Sequence, residues 1–395
     1  MENLKFRITP ISGGVCAVDG IYASGVNAGF KKSGFDLGFI RSDDEMRVAY
    51  LFTTNRFQAA PLKYVLKKGV KTTNFLLANS KNANAMTGEE GIKDIEEILD
   101  YLGKKTEVKN PIMSSTGVIG VRIDKDKIKN GIEKFDFNEK NSNKFAKAIM
   151  TTDSFEKEIA FEVEGDFGKF KIGGVAKGAG MINPQMATML CFITTDADIP
   201  ESEMKDILNE VNEHSFNAIS VDGDTSTNDS VFLMTTSKAS YDKEAFKEAL
   251  RQVMLKLATD IVRDGEGATK LVAFNVKGAK NKEEAKKAAK ALTNSLLMKT
   301  AIFGEDPNWG RIASTIGASG VECSENSIII KIGDVTLYEK GKILMTSEIE
   351  EKAHKVMKKD SFSISVDLGI GDGEFTAYGC DLSYEYVKIN AEYRT

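Results

Sequence analysis

The chain has 395 residues, 42% of them hydrophobic and 28% charged, with a formal net charge of −5. That length supports two or three domains with ample core. The mildly acidic balance, without any Lys/Arg block interleaved with aromatics, argues against a nucleic-acid surface.

The N-terminal stretch Met1–Arg7 has no apolar signal core, and no apolar run approaches the ~18 residues of a membrane span. A cytoplasmic chain with no membrane partner is expected. Cys16, Cys191, Cys323 and Cys380 are far apart, follow no metal spacing, and read as buried thiols. His214 and His354 fall in predicted amphipathic helices and read as structural, which leaves a Ser-His-Asp enzyme poorly supported.

In chain order, the first 60 residues are β-rich. Phe35–Ile40 and Met46–Thr53 read as two strands joined by the polar run Arg41–Glu45. A helix over Ala60–Lys67, a strand over Asn74–Ala78 and a helix over Glu89–Tyr101 follow, the last with Ile92, Ile95, Ile98, Leu99 and Leu102 on one face. Two short helical patterns cover 125–134 and 142–150. Lys157–Val163 and Lys169–Gly174 form a predicted hairpin.

Next comes the stretch Lys177–Asp196. A glycine-rich loop runs to Pro184, which biases Asn183 out of the helical region. The apolar run Met189–Ile193 reads as a buried strand. Thr188 stands at its head with the small Ala187 before it. A Thr hydroxyl activated by its own α-amine needs this arrangement, and the amine exists only once the Ala187–Thr188 bond is cut.

Beyond it, helices are predicted over 201–213 and 243–263, with the polar loop Val221–Asp229 and the apolar run Val231–Met234 between them. Leu271–Val276 is a strand, and Gly278 is taken as a domain boundary, giving domains 1–278 and 279–395. The remainder reads as a helix over 282–299, a helix ending at Ile316, strands at Ile328–Ile332, Val335–Tyr338, Phe362–Leu368 and Glu374–Cys380, and a helix to Met357 opened by a Ser347/Glu350 capping box. The pattern is mixed α/β (α+β type), largely antiparallel, rather than a regular βαβ series.

Several motifs have bland readings. Gly369–Gly373 lacks dinucleotide-loop spacing and reads as a hairpin turn. Asp222, Asp224, Ser226 and Asn228 outline a calcium loop, but Thr227 stands where it needs Gly and Leu233 where it needs Glu, so an EF-hand is rejected. Ser114–Gly117 reads either as a plain turn or as an oxyanion hole. Asp264–Lys270 reads as a helix stop with a carboxylate, Glu266, beside two glycines. Asn390–Thr395 reads as a frayed tail.

Eight segments in order carry a resemblance: Phe52–Arg56 with Ala59–Pro61, Asn79–Asn84, Ser115–Gly120, Lys177–Pro184 with Ala187–Leu190, Val221–Asp229, Asp264–Lys270, Thr300–Gly304 with Asp306–Arg311, and Asn390–Thr395. Over essentially its whole length the chain closely resembles the ornithine acetyltransferase (glutamate N-acetyltransferase) family of arginine biosynthesis. The resemblance implies an N-terminal-nucleophile-like αββα arrangement with a smaller C-terminal α/β domain. It implies self-cleavage into an α chain, Met1–Ala187, and a β chain, Thr188–Thr395, paired as a heterotetramer of two α and two β. It implies Thr188 as nucleophile, Thr116 and Gly117 as oxyanion hole, and Thr151, Lys177, Thr188, Glu266, Asn390 and Thr395 as substrate contacts. The implied substrates are N2-acetylornithine and glutamate, with no cofactor or metal, and acetyl-CoA as a second donor in bifunctional members. Lys81 and Met86 depart from the pattern, standing where Gly and Cys are expected. Two rivals stay open: a peptidase with the same machinery, and an uncleaved amino-acid-binding protein.

Overall fold

Strongly apolar, β-branched runs dictate two sheets, one in each of two compact units. The computed structural model describes residues 5–183 and 189–392. The first unit draws on Met1–Gly178, Pro184–Asn217 and Thr225–Ala258, the second on Ala179–Asn183, Ala218–Asp224 and Thr259–Thr395.

The first unit holds β1 (Phe6–Ile11), β2 (Ile21–Val26), β3 (Leu37–Phe52), β4 (Thr72–Asn79), β5 (Ile112–Ser115), β6 (Lys157–Gly165), β7 (Gly168–Lys177), β8 (Leu190–Ala197) and β10 (Ser230–Ala239). They lie in the order β1-β6-β7-β8-β10-β3-β4-β5, with β2 also on β3. The central pair, β8 and β10, is parallel, with Cys191 opposite Val231 and Ile193 opposite Leu233. Both runs are buried without alternation, as strands covered on both faces require.

Helices supply that cover: α1 (Ala60–Lys68), α2 (Gly88–Leu102), α3 (Lys125–Ile132), α4 (Ser142–Ile149), α5 (Glu201–Glu213) and α6 (Lys243–Arg263). Phe145 of α4 meets Phe192 of β8 edge-on at 5.4 Å. Phe246 of α6 meets Phe170 of β7 at 5.9 Å. Phe192 lies beside Val175 across the β7–β8 ladder, and Phe170, five residues before Val175, points to the other face. The division between units falls inside α6.

Arg41–Glu45 is not a turn. β3 runs through it as one strand, with a register shift against β4 between Arg41 and Met46. Pairing of β2 with Arg41 and Ser42, and an Asp43 N–H donated to the Gly20 carbonyl at 3.0 Å, keep the polar run extended.

The second unit's sheet contains β9 (Ile219–Ser220), β11 (Leu271–Ala279), β12 (Ile329–Ile332), β13 (Val335–Glu339), β14 (Lys342–Ile343), β15 (Ser361–Asp367) and β16 (Gly373–Cys380). Their order is β14-β13-β12-β15-β11-β16-β9. Its helices are α7 (Lys282–Asn294), α8 (Leu296–Phe303), α9 (Trp309–Ala318), α10 (Ser347–Met357) and α11 (Tyr384–Ala391).

Five expectations change here. Gly369–Gly373 is not a hairpin turn, because β11 lies between β15 and β16. The segment instead arches over the end of β11, with the Ile370 N–H on the Gly278 carbonyl at 2.8 Å. Gly278 itself sits in β11, which pairs with β15 and β16, so the units divide at 258/259 and not at 278. The predicted 282–299 helix breaks at Ser295, whose side chain accepts the Met298 N–H and starts α8. Thr346, not Ser347, caps α10 by accepting the Ile349 N–H. Cys191 and Cys380 are buried, but Cys16 and Cys323 are only half-buried.

Candidate active site

Thr116 and Gly117 follow β5 in a turn laid against Asn79–Ala83. The Thr116 N–H donates to the Asn79 carbonyl at 3.0 Å, and the Val118 N–H to that of Lys81 at 3.3 Å. Gly117 has φ 135°. A Cβ there would lie 2.5 Å from the Asn82 nitrogen and closer still to the Lys81 carbonyl carbon. Only glycine allows this approach. Neither the Gly117 N–H nor the Thr116 hydroxyl has a hydrogen-bond partner among the described residues. Two unspent donors on a turn locked by backbone contacts are what an oxyanion hole requires.

The turn is held from the polar loop rejected as a calcium site. Buried Asn228 gives both amide hydrogens away, to Ala83 O at 2.6 Å and Ser115 O at 2.8 Å, and accepts from the Thr227 hydroxyl. Two residues on, the Ser230 N–H holds the carbonyl of Met189, Thr188's neighbour, at 2.9 Å. One short segment therefore fixes both the turn and the strand head. Lys81 has φ 72° and Met86 φ 59°. The turn keeps its left-handed shape without the expected Gly, at a cost of ~1 kcal/mol.

Lys177 ends β7 opposite Leu190, at the same strand head. Its ammonium donates to Thr151 Oγ1 at 2.7 Å and lies 3.6 Å from Asp153 Oδ2. Asp153 also accepts from Lys157 Nζ at 2.9 Å, from the Thr151 N–H at 2.9 Å and from the Gly178 N–H at 2.6 Å. Burial disfavours its charged form, but the Lys177 and Lys157 ammonium groups and the Thr151 N–H outweigh it and hold the carboxyl well below the usual range. Nearby, burial pushes the Lys31 ammonium down to about 8, with Asp36 opposing and Lys81 and Lys177 adding to the fall. The Lys177 ammonium, set beside the Thr151 hydroxyl at the strand head, suits a carboxylate ligand.

Asp153→Asn should destabilise the first unit by ~3–5 kcal/mol, because two buried ammonium groups lose their counter-charge. Denaturant titration at neutral pH checks it. Asp153 has a folded pKa below its unfolded value of ~4, so its contribution is complete above that pH and is lost as pH falls through the depressed folded value.

The second unit holds Glu266 and Asn390. The Asn390 side-chain amide donates to Glu266 Oε2 at 2.7 Å, so Asn390 belongs to α11 and not to a frayed tail. The Glu266 N–H bonds the Ala179 carbonyl at 2.9 Å, and a Cβ on Gly180 would sit 2.5 Å from its carboxylate. Asp381 fixes this loop further on by accepting the Thr269 and Lys270 N–H groups at 2.8 and 2.9 Å. Ala187, Thr188 and Thr395 lie outside the described residues.

A model of the ArgJ family matches residues 22–395. The chain belongs to the ArgJ family. It is 60% identical over 396 residues to the arginine biosynthesis bifunctional protein ArgJ of Wolinella succinogenes, across 99% of this chain and 100% of that one. It is 45% identical over 405 residues to the glutamate N-acetyltransferase of Methanocaldococcus jannaschii, across 98% and 99% of the two chains. Among solved structures it is similar to the ornithine acetyltransferase of Mycobacterium tuberculosis complexed with ornithine, at 31% identity over 46% of this chain and 100% of that chain, with a TM-score of 0.41. This ArgJ-family chain is an acyltransferase. No helix among its described residues is long and apolar enough to cross a membrane.

Sequence reading missed Asp153 and its pairing with Lys157 four residues on. It named Asn228 but not its role, because the carbonyls that Asn228 holds, on Ala83 and Ser115, are far off in the chain.

Proposed function

We propose that the chain transfers acetyl from N2-acetylornithine to glutamate through an acetyl-Thr188 intermediate, after cutting itself at Ala187–Thr188. The observation that carries this reading is that Asn228 and Ser230, two residues apart, hold the Thr116–Gly117 turn and the residue next to Thr188.

In the maturation step Thr188 Oγ attacks the Ala187 carbonyl and the peptide C–N bond breaks. The acyl group passes to oxygen, and water hydrolyses the ester to leave the Ala187 carboxylate and a free Thr188 amine. That amine, with an unperturbed pKa near ~8, takes the hydroxyl proton in turnover. Thr188 Oγ then attacks the acetyl carbonyl, and the Gly117 N–H and Thr116 hydroxyl donate to the oxyanion. The intermediate collapses, the ornithine α-amine leaves with the proton, and the glutamate amine takes the acetyl by the reverse path. Lys177 and Thr151 receive the α-carboxylate. Glu266, held by Asn390, pairs with the side-chain ammonium of ornithine, and Thr395 completes the contacts. Nucleophile, base and oxyanion donors all come from the chain, so the cycle calls for no cofactor or metal. The cleaved chains pair as two α and two β.

Initial rates with both substrates varied should give parallel double-reciprocal lines, and N2-acetylornithine alone should leave an acetyl group on Thr188 by mass spectrometry. Intersecting lines with an unmodified Thr188 would overturn the reading, and acetylornithine hydrolysis indifferent to glutamate would favour the peptidase. The word "bifunctional" in the Wolinella relative's name supports a second donor. Formation of N-acetylglutamate from acetyl-CoA tests that separately.

A further inference from the structure

The segment just upstream of the Ala187–Thr188 bond is gripped, within the second unit, by the loop that follows β9. Asp222 Oδ2 accepts the Met181 N–H at 2.6 Å, and Oδ1 accepts the Ile182 N–H at 2.8 Å. The Ile182 carbonyl takes the Val221 N–H at 2.7 Å and the Ser220 hydroxyl at 3.1 Å. The Asn183 side-chain amide donates to the Gly223 carbonyl at 3.0 Å. The Tyr386 hydroxyl of α11 donates to Asp222 Oδ2 at 3.2 Å and orients it.

Three consecutive residues are thus tied through backbone or side chain, which is more than a surface loop needs for order. Met181 pays a conformational cost for it: its φ is 57°, in the left-handed region, and its side chain is exposed. A non-glycine residue persists there only when surrounding bonds over-determine it. With Met181 in this conformation, two successive N–H groups converge on one anion, which here is the Asp222 carboxylate. The side chain is exposed, so the conformation serves the backbone.

We propose that Asp222 is a positioning residue for self-cleavage, acting through Met181–Asn183 on the upstream flank of the scissile bond. This rests on the self-cleavage reading above. The attack of Thr188 on its own preceding carbonyl is intramolecular, and its rate depends on how few conformations the flanking chain explores. Fixing residues 181–183 removes that freedom four residues before the carbonyl of Ala187. Asp222 acts on the Met181 and Ile182 N–H groups, upstream of the bond to be cut. Its carboxylate serves by accepting two backbone N–H groups at once, a role the neutral amide of Asn fills poorly.

The test follows conversion of the full-length chain to its two fragments over time, by denaturing gel and intact mass, for wild type, Asp222→Asn and Asp222→Glu. All are held well below their melting temperatures as measured by circular dichroism. Asp222→Asn should cleave at least about tenfold more slowly than wild type while remaining folded. Asp222→Glu, which keeps the two-oxygen acceptor, should recover part of the rate. A purely structural residue would instead shift the melting temperature without this ordering of cleavage rates. Should Asp222→Asn fail to fold, Asn183→Ala takes its place, with a slowing of about threefold expected. A folded variant that cleaves at the wild-type rate overturns the role of Asp222 and leaves self-cleavage standing. A wild-type chain that stays intact overturns both.

Discussion

Thr188→Ala is expected to run as one 395-residue chain on a denaturing gel and to transfer no acetyl group. Both outcomes follow from one oxygen atom. Without it there is no ester from the N-to-O shift, the peptide bond stays closed, and the α-amine that would act as base is never freed. Losing a nucleophile from a unit of this kind costs on the order of 10⁶ in rate, which places transfer at background. Thr188→Ser separates chemistry from folding. It retains the hydroxyl and should still cleave, more slowly for want of the methyl group that restricts the side chain. If Thr188→Ala still resolves into the two fragments, the cut is made by another agent, and Thr188 has no part in maturation.

How much of this was legible in sequence depends on the range of the interaction that decides each feature. β8, β10, α5 and α6 are set by local patterns, an unbroken apolar run or a 3.6-residue period, and the structure has them where those patterns lie. The continuity of β3 was not legible, because Arg41–Glu45 has the chemistry of a turn until β2 pairs alongside it. Gly369–Gly373 has the same local chemistry whether its flanking strands pair with each other or stand either side of β11, and only the strand order decides. At the site, the Ser114–Gly117 turn announced itself through small residues. The Asp222–Asp229 loop announced itself through its density of polar side chains, but not its division of labour. Asp222 grips Met181 and Ile182 in one unit, while Asn228 clamps Ala83 and Ser115 in the other.

Gly117→Ala should lower kcat by ~10²–10³. The structure gives two reasons. At φ 135° an L-residue is strained. Its Cβ would also meet the Lys81 and Asn82 backbone, atoms that cannot swing aside as a flexible side chain can. The turn must therefore move, and it carries the Gly117 N–H with it. That N–H has no partner among the described residues, so its displacement weakens the oxyanion contact far more than it weakens ground-state binding, and KM should change little. Thr116→Val provides the control for shape. It keeps the β-branched outline and the backbone bond to Asn79 but removes the hydroxyl donor. If both groups face the oxyanion, Thr116→Val lowers kcat at constant melting temperature, whereas Gly117→Ala lowers both. If Thr116→Val leaves kcat at the wild-type value, the turn supplies a single donor, and the oxyanion rests on the Gly117 N–H and a second group elsewhere.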